Sequence, residues 1–282
     1  MIRLLPGLVG SLAAAASLEA AAALLPAAAA PSASSSASLP TCRVPEAERS
    51  ASVPDPPLPA ALPAPSPLDY RAQLRPSPWG WIHRPRWCVW IEPLGANASM
   101  WDIRWSAAVE AALGRWQQLL PIERVNDTRA AQVLVLRRRP PLRLLEGEQR
   151  ASHGRAELLG ARWTLRGGAW VLEPRLRLLL SPGQRPLGIE ATALHELGHA
   201  FGLWGHSDSA GDVMAAVPGS RPVLEIGPRD RATLQWLQGQ PSVFAPGSGG
   251  PVLHPPAEQE GEQKAEQLHD HHAGAGGQVQ QP

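Results

Sequence analysis

The large hydrophobic residues of this 282-residue chain are concentrated in its middle. All eleven tryptophans fall between Trp79 and Trp236. A folded core needs such large apolar groups, and about 160 residues are enough to bury one. The pattern therefore predicts a single domain over residues 79–240.

The first part of this domain is predicted to form a strand and then an amphipathic helix. Residues 87–92 are rich in aromatic and β-branched side chains and are followed by Pro93, which is typical of a strand that ends there. Ser99 and Asp102 have the spacing of a helix-capping box, and Pro121 ends the helical pattern. The predicted inward face of this helix consists of Trp101, Trp105, Ala108, Ala112, Trp116 and Leu119.

Further strands are predicted after this helix. Residues 131–136 form a short β-prone run, and residues 163–165 and 169–172 flank two glycines as the strands of a hairpin do. Residues 175–178 alternate between arginine and leucine, which indicates a strand with one solvated face. Residues 140–160 are charged and show no period, so they are predicted to be irregular and to hold no additional metal site.

Two helices complete the predicted domain. The first starts near Ile189, and the second covers residues 228–237, with Leu234 and Leu237 facing inward. The order of elements is thus strand, helix, strands, helix and a closing helix.

The first thirty residues are typical of a secretory signal peptide. Arg3 precedes an apolar run over residues 4–18, and three alanines at 28–30 offer a small-residue cleavage site. Glu19 interrupts the apolar run, which is then too short for a membrane-spanning helix of about 20 residues. The sequence predicts a secreted or periplasmic protein, and an uncleaved N-terminal anchor is the alternative.

The segments on either side of the domain are biased in composition. Residues 31–78 are rich in proline, alanine and serine, which predicts a disordered linker or pro-segment. Residues 241–282 contain few large apolar side chains and are predicted to be a disordered tail. The histidines of that tail, His269, His271 and His272, are predicted to be solvated.

The charge balance indicates which partners to expect. The formal net charge is +1, which gives no reason to propose nucleic acid as a partner. Arg137, Arg138 and Arg139 are interpreted as a solvated strand end.

A metal-binding motif lies on the helix that starts near Ile189. His195 and His199 are four residues apart, so on a helix they share one face and can direct two imidazoles at one metal ion. Glu196 follows the first histidine, where its carboxylate can reach a metal-bound water. This is the H-E-x-x-H arrangement of zinc hydrolases, and it makes Glu196 the candidate catalytic base.

The residues after this helix contain a candidate third ligand. A catalytic zinc ion takes three protein ligands and keeps one position open. Gly202 can adopt a positive φ angle and turn the chain back towards the metal. His206 is then the predicted third ligand, and Asp208 is the alternative oxygen ligand.

These residues resemble the active-site segment of the matrixin-type metzincin zinc proteases. The metzincin pattern is H-E-x-x-H-x-x-G-x-x-H, followed by a methionine turn; here Met214 follows at a fitting distance. The chain departs from the pattern because Gly205 stands where the third histidine is expected, and His206 follows it. Residues 202–207, Gly-Leu-Trp-Gly-His-Ser, match the form found in secreted bacterial, notably cyanobacterial, predicted zinc proteases.

The resemblance implies a fold and an activity. The fold class expected is α+β, with a twisted mixed β-sheet, a backing helix, an active-site helix, a Met turn and a closing helix. The cofactor expected is Zn²⁺, bound by His195, His199 and His206. The function expected is a metalloendopeptidase that hydrolyses peptide bonds by attack of a zinc-bound water activated by Glu196. The expected partners are then protein or peptide substrates, and the chain is expected to be a monomer.

The two cysteines allow two interpretations. Residues 40–46, Pro-Thr-Cys-Arg-Val-Pro-Glu, faintly resemble the matrixin cysteine switch, in which a pro-segment thiolate occupies the open position on zinc. The arginine and glycine of that motif are missing. The alternative is a disulfide between Cys42 and Cys88, which can form in the oxidising environment that an exported protein meets.

Two other functional classes remain open. In a gluzincin-type metallopeptidase, a glutamate from a later helix would be the third ligand, and Glu225 is the candidate. In a non-catalytic secreted binding module, the fold would be kept without hydrolysis. The identity of the third metal ligand distinguishes a gluzincin-type enzyme from a metzincin-type enzyme. An assay of peptide hydrolysis distinguishes a non-catalytic binding module from either enzyme.

Overall fold

The computed structural model describes residues 41–145, 148–217 and 219–255, with side chains described outside 143–150. The predicted signal peptide and the three histidines of the predicted tail lie outside the described residues. Among the described helices, none has both the length and the apolar character needed to cross a bilayer.

A six-stranded mixed β-sheet forms the framework of the domain. Its strands lie in the order β1-β7-β8-β4-β2-β3. The strands β3, β2, β4 and β8 are mutually parallel, whereas β7 is antiparallel to both β8 and β1. The strand bounds are β1 Ala47–Ala51, β2 Trp87–Ile91, β3 Ile122–Arg124, β4 Val133–Leu136, a separate hairpin of β5 Arg143–Leu145 and β6 Glu148–Arg150, β7 Gly154–Arg166 and β8 Ala169–Leu180.

Three α-helices accompany the sheet: α1 Met100–Gln117, α2 Pro186–Ala200 and α3 Pro228–Gln238. Helix α1 begins at a capping box in which Ser99 and Asp102 bond each other's backbone amides. Two buried tryptophans join α1 to its neighbours: the indole of Trp105 donates to the Leu180 carbonyl, and that of Trp116 donates to the Leu194 carbonyl on α2. Because a buried indole N–H needs an acceptor, these bonds orient α2 relative to α1 and β8.

The predicted α+β class is confirmed, together with the capping box and the hairpin about Gly167 and Gly168. The prediction of an irregular segment over residues 140–160 is wrong, because β7 begins at Gly154. The inward position predicted for Trp101 is also wrong, since it is 60% exposed. Trp101 lies in the first turn of α1, and its ring packs against the Arg104 guanidinium and not against the core.

The described part of the predicted linker, residues 41–78, belongs to the domain, so the prediction of disorder is wrong for these residues, whereas residues 31–40 lie outside the described residues. Strand β1 pairs with β7 along residues 161–165, and Tyr70 and Leu74 are buried in the core. The high proline content of the whole segment favoured a prediction of disorder. Residues 46–53, however, contain no proline and can pair with a neighbouring strand. The folded domain therefore starts well before Trp79.

The beginning of the predicted tail is also folded. Phe244 is fully buried, and the Ser242 hydroxyl donates to the Trp81 carbonyl at 2.7 Å. Ala245 is also buried, and Val243 and Leu253 pack on the core, so a few apolar side chains attach this stretch although its average composition is polar. The prediction of disorder from residue 241 onward is therefore wrong for residues 241–255.

Cys42 and Cys88 form a disulfide, with their Cα atoms 5.6 Å apart. This bond attaches the start of the described chain to β2. It also excludes the cysteine-switch interpretation in this structure, because the Cys42 sulfur is not a free thiolate.

Candidate metal centre

Helix α2 carries three of the predicted site residues on one side. Its His199 and Glu196 are buried, and His195 is half-buried. The four-residue spacing brings the two imidazole rings to a centroid distance of 4.8 Å. The helix begins at Pro186, three residues before the predicted start, because proline is well accommodated in a first turn.

The chain reverses direction immediately after α2 at Gly202. This residue has a φ angle of +105°, which side-chain-bearing residues rarely adopt. A Cβ atom there would also lie 1.9 Å from the Ile82 carbonyl oxygen. Conformation and space therefore both require glycine at this turn, as the sequence indicated.

The extra glycine before His206 has a separate structural reason. A Cβ atom on Gly205 would lie 2.3 Å from the Gln73 carbonyl oxygen. The Arg75 amide also donates to the Trp204 carbonyl at 2.8 Å, which holds the N-terminal segment against this loop. No side chain fits at position 205, and the third histidine follows at 206.

Three histidines come together at the end of α2. Ligand atoms of His195, His199 and His206 all lie within 4.8 Å of one another. A metal ion bonded at about 2.1 Å on each side spans at most about 4.2 Å, so small side-chain rotations bring all three within bonding reach. This cluster, here called the histidine cluster, could hold a metal ion.

The alternative third ligands are engaged elsewhere. Asp208 accepts a bond from Arg229 at 2.7 Å, and Glu225 accepts one from Arg115 at 2.5 Å. Among the residues described, the histidine cluster includes neither of these two carboxylates.

Backbone carbonyls orient two of the three imidazoles. The Nδ1 atom of His195 lies 2.8 Å from the Val213 carbonyl oxygen, and that of His199 lies 2.7 Å from the Leu203 carbonyl oxygen. A carbonyl can only accept, so each Nδ1 carries the proton and each Nε2 keeps its lone pair. Such a bond on the far nitrogen is typical of metal-ligating histidines.

Burial keeps these imidazoles neutral. It lowers the pKa of His199 to about 3, assisted by the adjacent His195. Burial likewise lowers the pKa of His195 and of His206. Since a metal competes with protons for imidazole nitrogen, neutral rings favour metal binding at neutral pH.

The turn predicted to lie beneath the metal is held by Asp230. This buried carboxylate accepts bonds from the amides of Val213 at 3.0 Å and Gly227 at 3.1 Å, and from the Tyr70 hydroxyl at 2.9 Å. The Val213 carbonyl in turn orients His195. Asp230 and Tyr70 thus support the cluster through the turn, although no sequence motif predicted a role for either residue. Only the acidic residue in the first turn of α3 could have hinted at it.

Gly154, at the start of β7, packs closely against the side chain of Glu196, the candidate base. A Cβ atom there would lie 2.6 Å from an Oε1 atom of Glu196 and 2.5 Å from a methyl group of Thr192. The carboxylate of Glu196 therefore lies between α2 and the sheet, beside His195. No local pattern pointed to Gly154, because the contact joins residues that are distant in sequence.

Two cavities meet at the candidate base. One, of ≈ 610 Å³, has a mainly apolar lining and lies between α2 and the loop after Met214, reaching Val223. The other, of ≈ 600 Å³, runs past the histidine cluster towards Arg75 and Arg155. His195 and Glu196 line both cavities. An extended molecule that crosses the cluster would occupy one cavity on each side.

Gly198→Ala is expected to destabilise the protein by about 1–3 kcal/mol through overpacking. A Cβ atom at Gly198 would lie 2.3 Å from the Met214 sulfur and 3.2 Å from a ring carbon of Trp116. Chemical denaturation measures the change in the free energy of unfolding. Gly188→Ala on the same helix is the matched control: its Cβ atom meets nothing closer than 3.5 Å, so the higher helix propensity of alanine should stabilise. Equal effects of the two substitutions would contradict the close contact with Met214.

Comparison with known proteins assigns the chain to no family. No protein-family model matches the chain, and no curated protein matches it in sequence.

Proposed function

We propose that the protein is an exported zinc-dependent endopeptidase of the metzincin type. The observation that carries the proposal is the histidine cluster with Glu196 buried beside it at the junction of two cavities. His195, His199 and His206 would be the metal ligands, and Glu196 would be the general base.

The donor set fits zinc. Three neutral imidazoles are the protein ligands of some catalytic zinc sites, and a fourth position remains for water or substrate. The carbonyls of Val213 and Leu203 fix the tautomers that present Nε2 as a ligand atom. When bound, zinc would lower the pKa of a water molecule and polarise the carbonyl of the scissile peptide bond.

Glu196 supplies the proton transfers in this proposal. Its carboxylate accepts a proton from the attacking water and then donates one to the leaving amine, as a general base and acid. Gly154 and Thr192 pack against its side chain, which limits the directions in which the carboxylate can point. A substrate side chain that fills the cavity beside it, between α2 and the loop after Met214, would exclude water from one side of the scissile bond.

Strand β7 provides an edge for an extended peptide. β1 pairs with residues 161–165 of β7, whereas residues 154–158 pair with β8 alone among the strands described. The outer amides and carbonyls of residues 154–158 are thus available to a peptide that adds as a further strand. This edge ends at Gly154, next to Glu196, so a peptide bound there reaches the base.

Two features support the metzincin type and export. Met214 packs against Gly198 beneath the histidine cluster, which agrees with a methionine turn. The disulfide between Cys42 and Cys88 agrees with an oxidising compartment outside the cytoplasm.

The full chain with zinc is expected to hydrolyse an unfolded protein such as casein, and a chelator should abolish this activity until zinc is restored. The appearance of new amino termini measures peptide-bond cleavage. A non-catalytic binding module would produce none under any condition. Zinc-loaded, folded protein that cleaves no member of a diverse peptide library would defeat the proposed function.

His206→Ala is expected to lose bound zinc, because a site with two protein ligands holds the metal poorly. Metal analysis after dialysis should give roughly one zinc per chain in the wild type and far less in this variant. Glu225→Ala is the matched control, since its carboxylate pairs with Arg115 outside the cluster. Full zinc in His206→Ala and none in Glu225→Ala would instead assign the gluzincin-type ligand set.

A further inference from the structure

The cavity that runs past the histidine cluster is basic. We name it the basic cleft and define it by Arg75, Ser152, Arg155, Trp204 and His206. Apart from Glu196 at its inner end, no acidic residue lines it among the side chains described. Its two arginines come from separate segments, the N-terminal segment and β7.

Arg75 is fixed at one wall of the cleft. Its own amide bonds the Trp204 carbonyl at 2.8 Å, and its guanidinium donates to the carbonyls of Ala72 at 2.9 Å and Leu74 at 2.8 Å. These carbonyls occupy one guanidinium nitrogen and carry no full charge. Among the residues described, no carboxylate forms an ion pair with Arg75, so its positive charge is available to a ligand.

Arg155 faces the cleft with its charge weakly compensated. Its side chain is only 10% exposed, and among the side chains described its nearest carboxylate oxygen, on Glu157, is 3.9 Å away. Its Nη2 atom donates to the Pro141 carbonyl, which carries no full charge, at 2.7 Å. The other oxygen of Glu157 accepts two bonds from Arg177, at 2.7 and 2.8 Å. A buried cation with such a distant partner gains strongly from a ligand carboxylate.

We infer that the basic cleft selects substrates with an aspartate or glutamate on the N-terminal side of the scissile bond. The inference rests on the proposed function and names a substrate class for it. Arginine binds carboxylates through paired, charge-assisted hydrogen bonds, which discriminate against neutral and cationic side chains. The opposite cavity is lined by two carboxylates, Glu196 and Asp212, and one arginine, Arg221, so it lacks the excess of positive charge that the basic cleft has.

The direction in which the peptide runs along β7 follows from strand pairing. Antiparallel pairing is slightly more stable per residue than parallel pairing. A peptide antiparallel to β7 passes residue 158 first and Gly154 last, where it reaches Glu196. The part that lies along Arg155 therefore precedes the scissile bond.

The test uses the full chain with zinc and three fluorogenic peptides that differ only in glutamate, glutamine or lysine at positions before the cleaved bond. We expect kcat/KM for the glutamate peptide to exceed that for the glutamine peptide by about ten-fold, and the lysine peptide to be the poorest. The double substitution Arg75→Gln and Arg155→Gln should remove this preference. Arg104→Gln, at an exposed site on α1, is the matched control and should retain it.

A binding measurement separates the inference from the proposed activity. Fluorescence anisotropy of the same peptides on the Glu196→Gln variant should show tighter binding of the glutamate peptide, lost when Arg75 and Arg155 are both replaced. Because the double variant could unfold, Arg75→Gln alone, at an exposed position, should lose part of the preference.

Each outcome decides one of the two proposals. Cleavage and binding that are equal for all three peptides would overturn the inference and leave the protease standing. Selective binding without any cleavage would keep the acidic preference and overturn the protease.

Discussion

Glu196→Gln is expected to lower the rate of peptide hydrolysis by roughly 10²–10⁴-fold while leaving the fold and the bound zinc unchanged. Glutamine keeps the shape of the side chain, so the packing of Gly154 and Thr192 against it is preserved. It cannot accept the proton of the attacking water. Steady-state kinetics on a peptide substrate, with metal analysis and thermal unfolding of the same samples, measures all three properties.

A second buried glutamate on the same helix provides the control. Glu190 accepts two bonds from Arg115, at 2.9 and 3.0 Å, and lies more than one turn before Glu196. Glu190→Gln should lower the stability, because it weakens a partly buried ion pair, while kcat remains near the wild-type value. Equal hydrolysis by wild type and Glu196→Gln would remove Glu196 from the mechanism.

Deletion of residues 1–78 is expected to abolish cooperative folding. It removes Tyr70 and Leu74 from the core, and loss of large buried side chains costs about 2–5 kcal/mol each. It also removes one donor from the buried Asp230, at a further cost of about 1–3 kcal/mol. The sum is comparable with the total stability of a typical domain, about 5–15 kcal/mol. Thermal unfolding followed by near-ultraviolet circular dichroism measures this loss.

Deletion of residues 1–40 is the matched comparison. It leaves Cys42, β1 and the Tyr70 region in place, so a cooperative transition should be retained. Tyr70→Phe isolates the hydrogen bond to Asp230 and should destabilise by about 1–2 kcal/mol. A chain lacking residues 1–78 that still unfolds cooperatively and binds zinc would contradict the role assigned to the N-terminal segment.

The parts of the site that depend on local spacing could be predicted from the sequence. His195, Glu196 and His199 need only one helix, and the turn at Gly202 needs only one glycine. The predicted third ligand also joins the cluster, because His206 follows that turn by four residues.

The parts that depend on distant contacts could not be predicted. Gly154 supports Glu196 across the space between a strand and a helix, and nothing in its own neighbourhood indicates this. β1 is short and polar, so its pairing with β7 is visible only when both strands are in place. The domain boundary at Trp79 was wrong because large apolar residues mark the centre of a core better than its edges.

The packing of the N-terminal segment on the last helix also determines when the site can be completed during synthesis. Tyr70 and Asp230 are separated by 160 residues, so their contact closes a loop that spans most of the domain. At about 5–20 residues per second, the ribosome needs roughly 8–30 s to add the second partner after the first. Through that interval, the Tyr70 hydroxyl has no acceptor on α3, although Arg75 can bond the Trp204 carbonyl as soon as residue 204 has been made. The packing that supports the basic cleft is therefore completed only after the helix that carries the histidine cluster has been made.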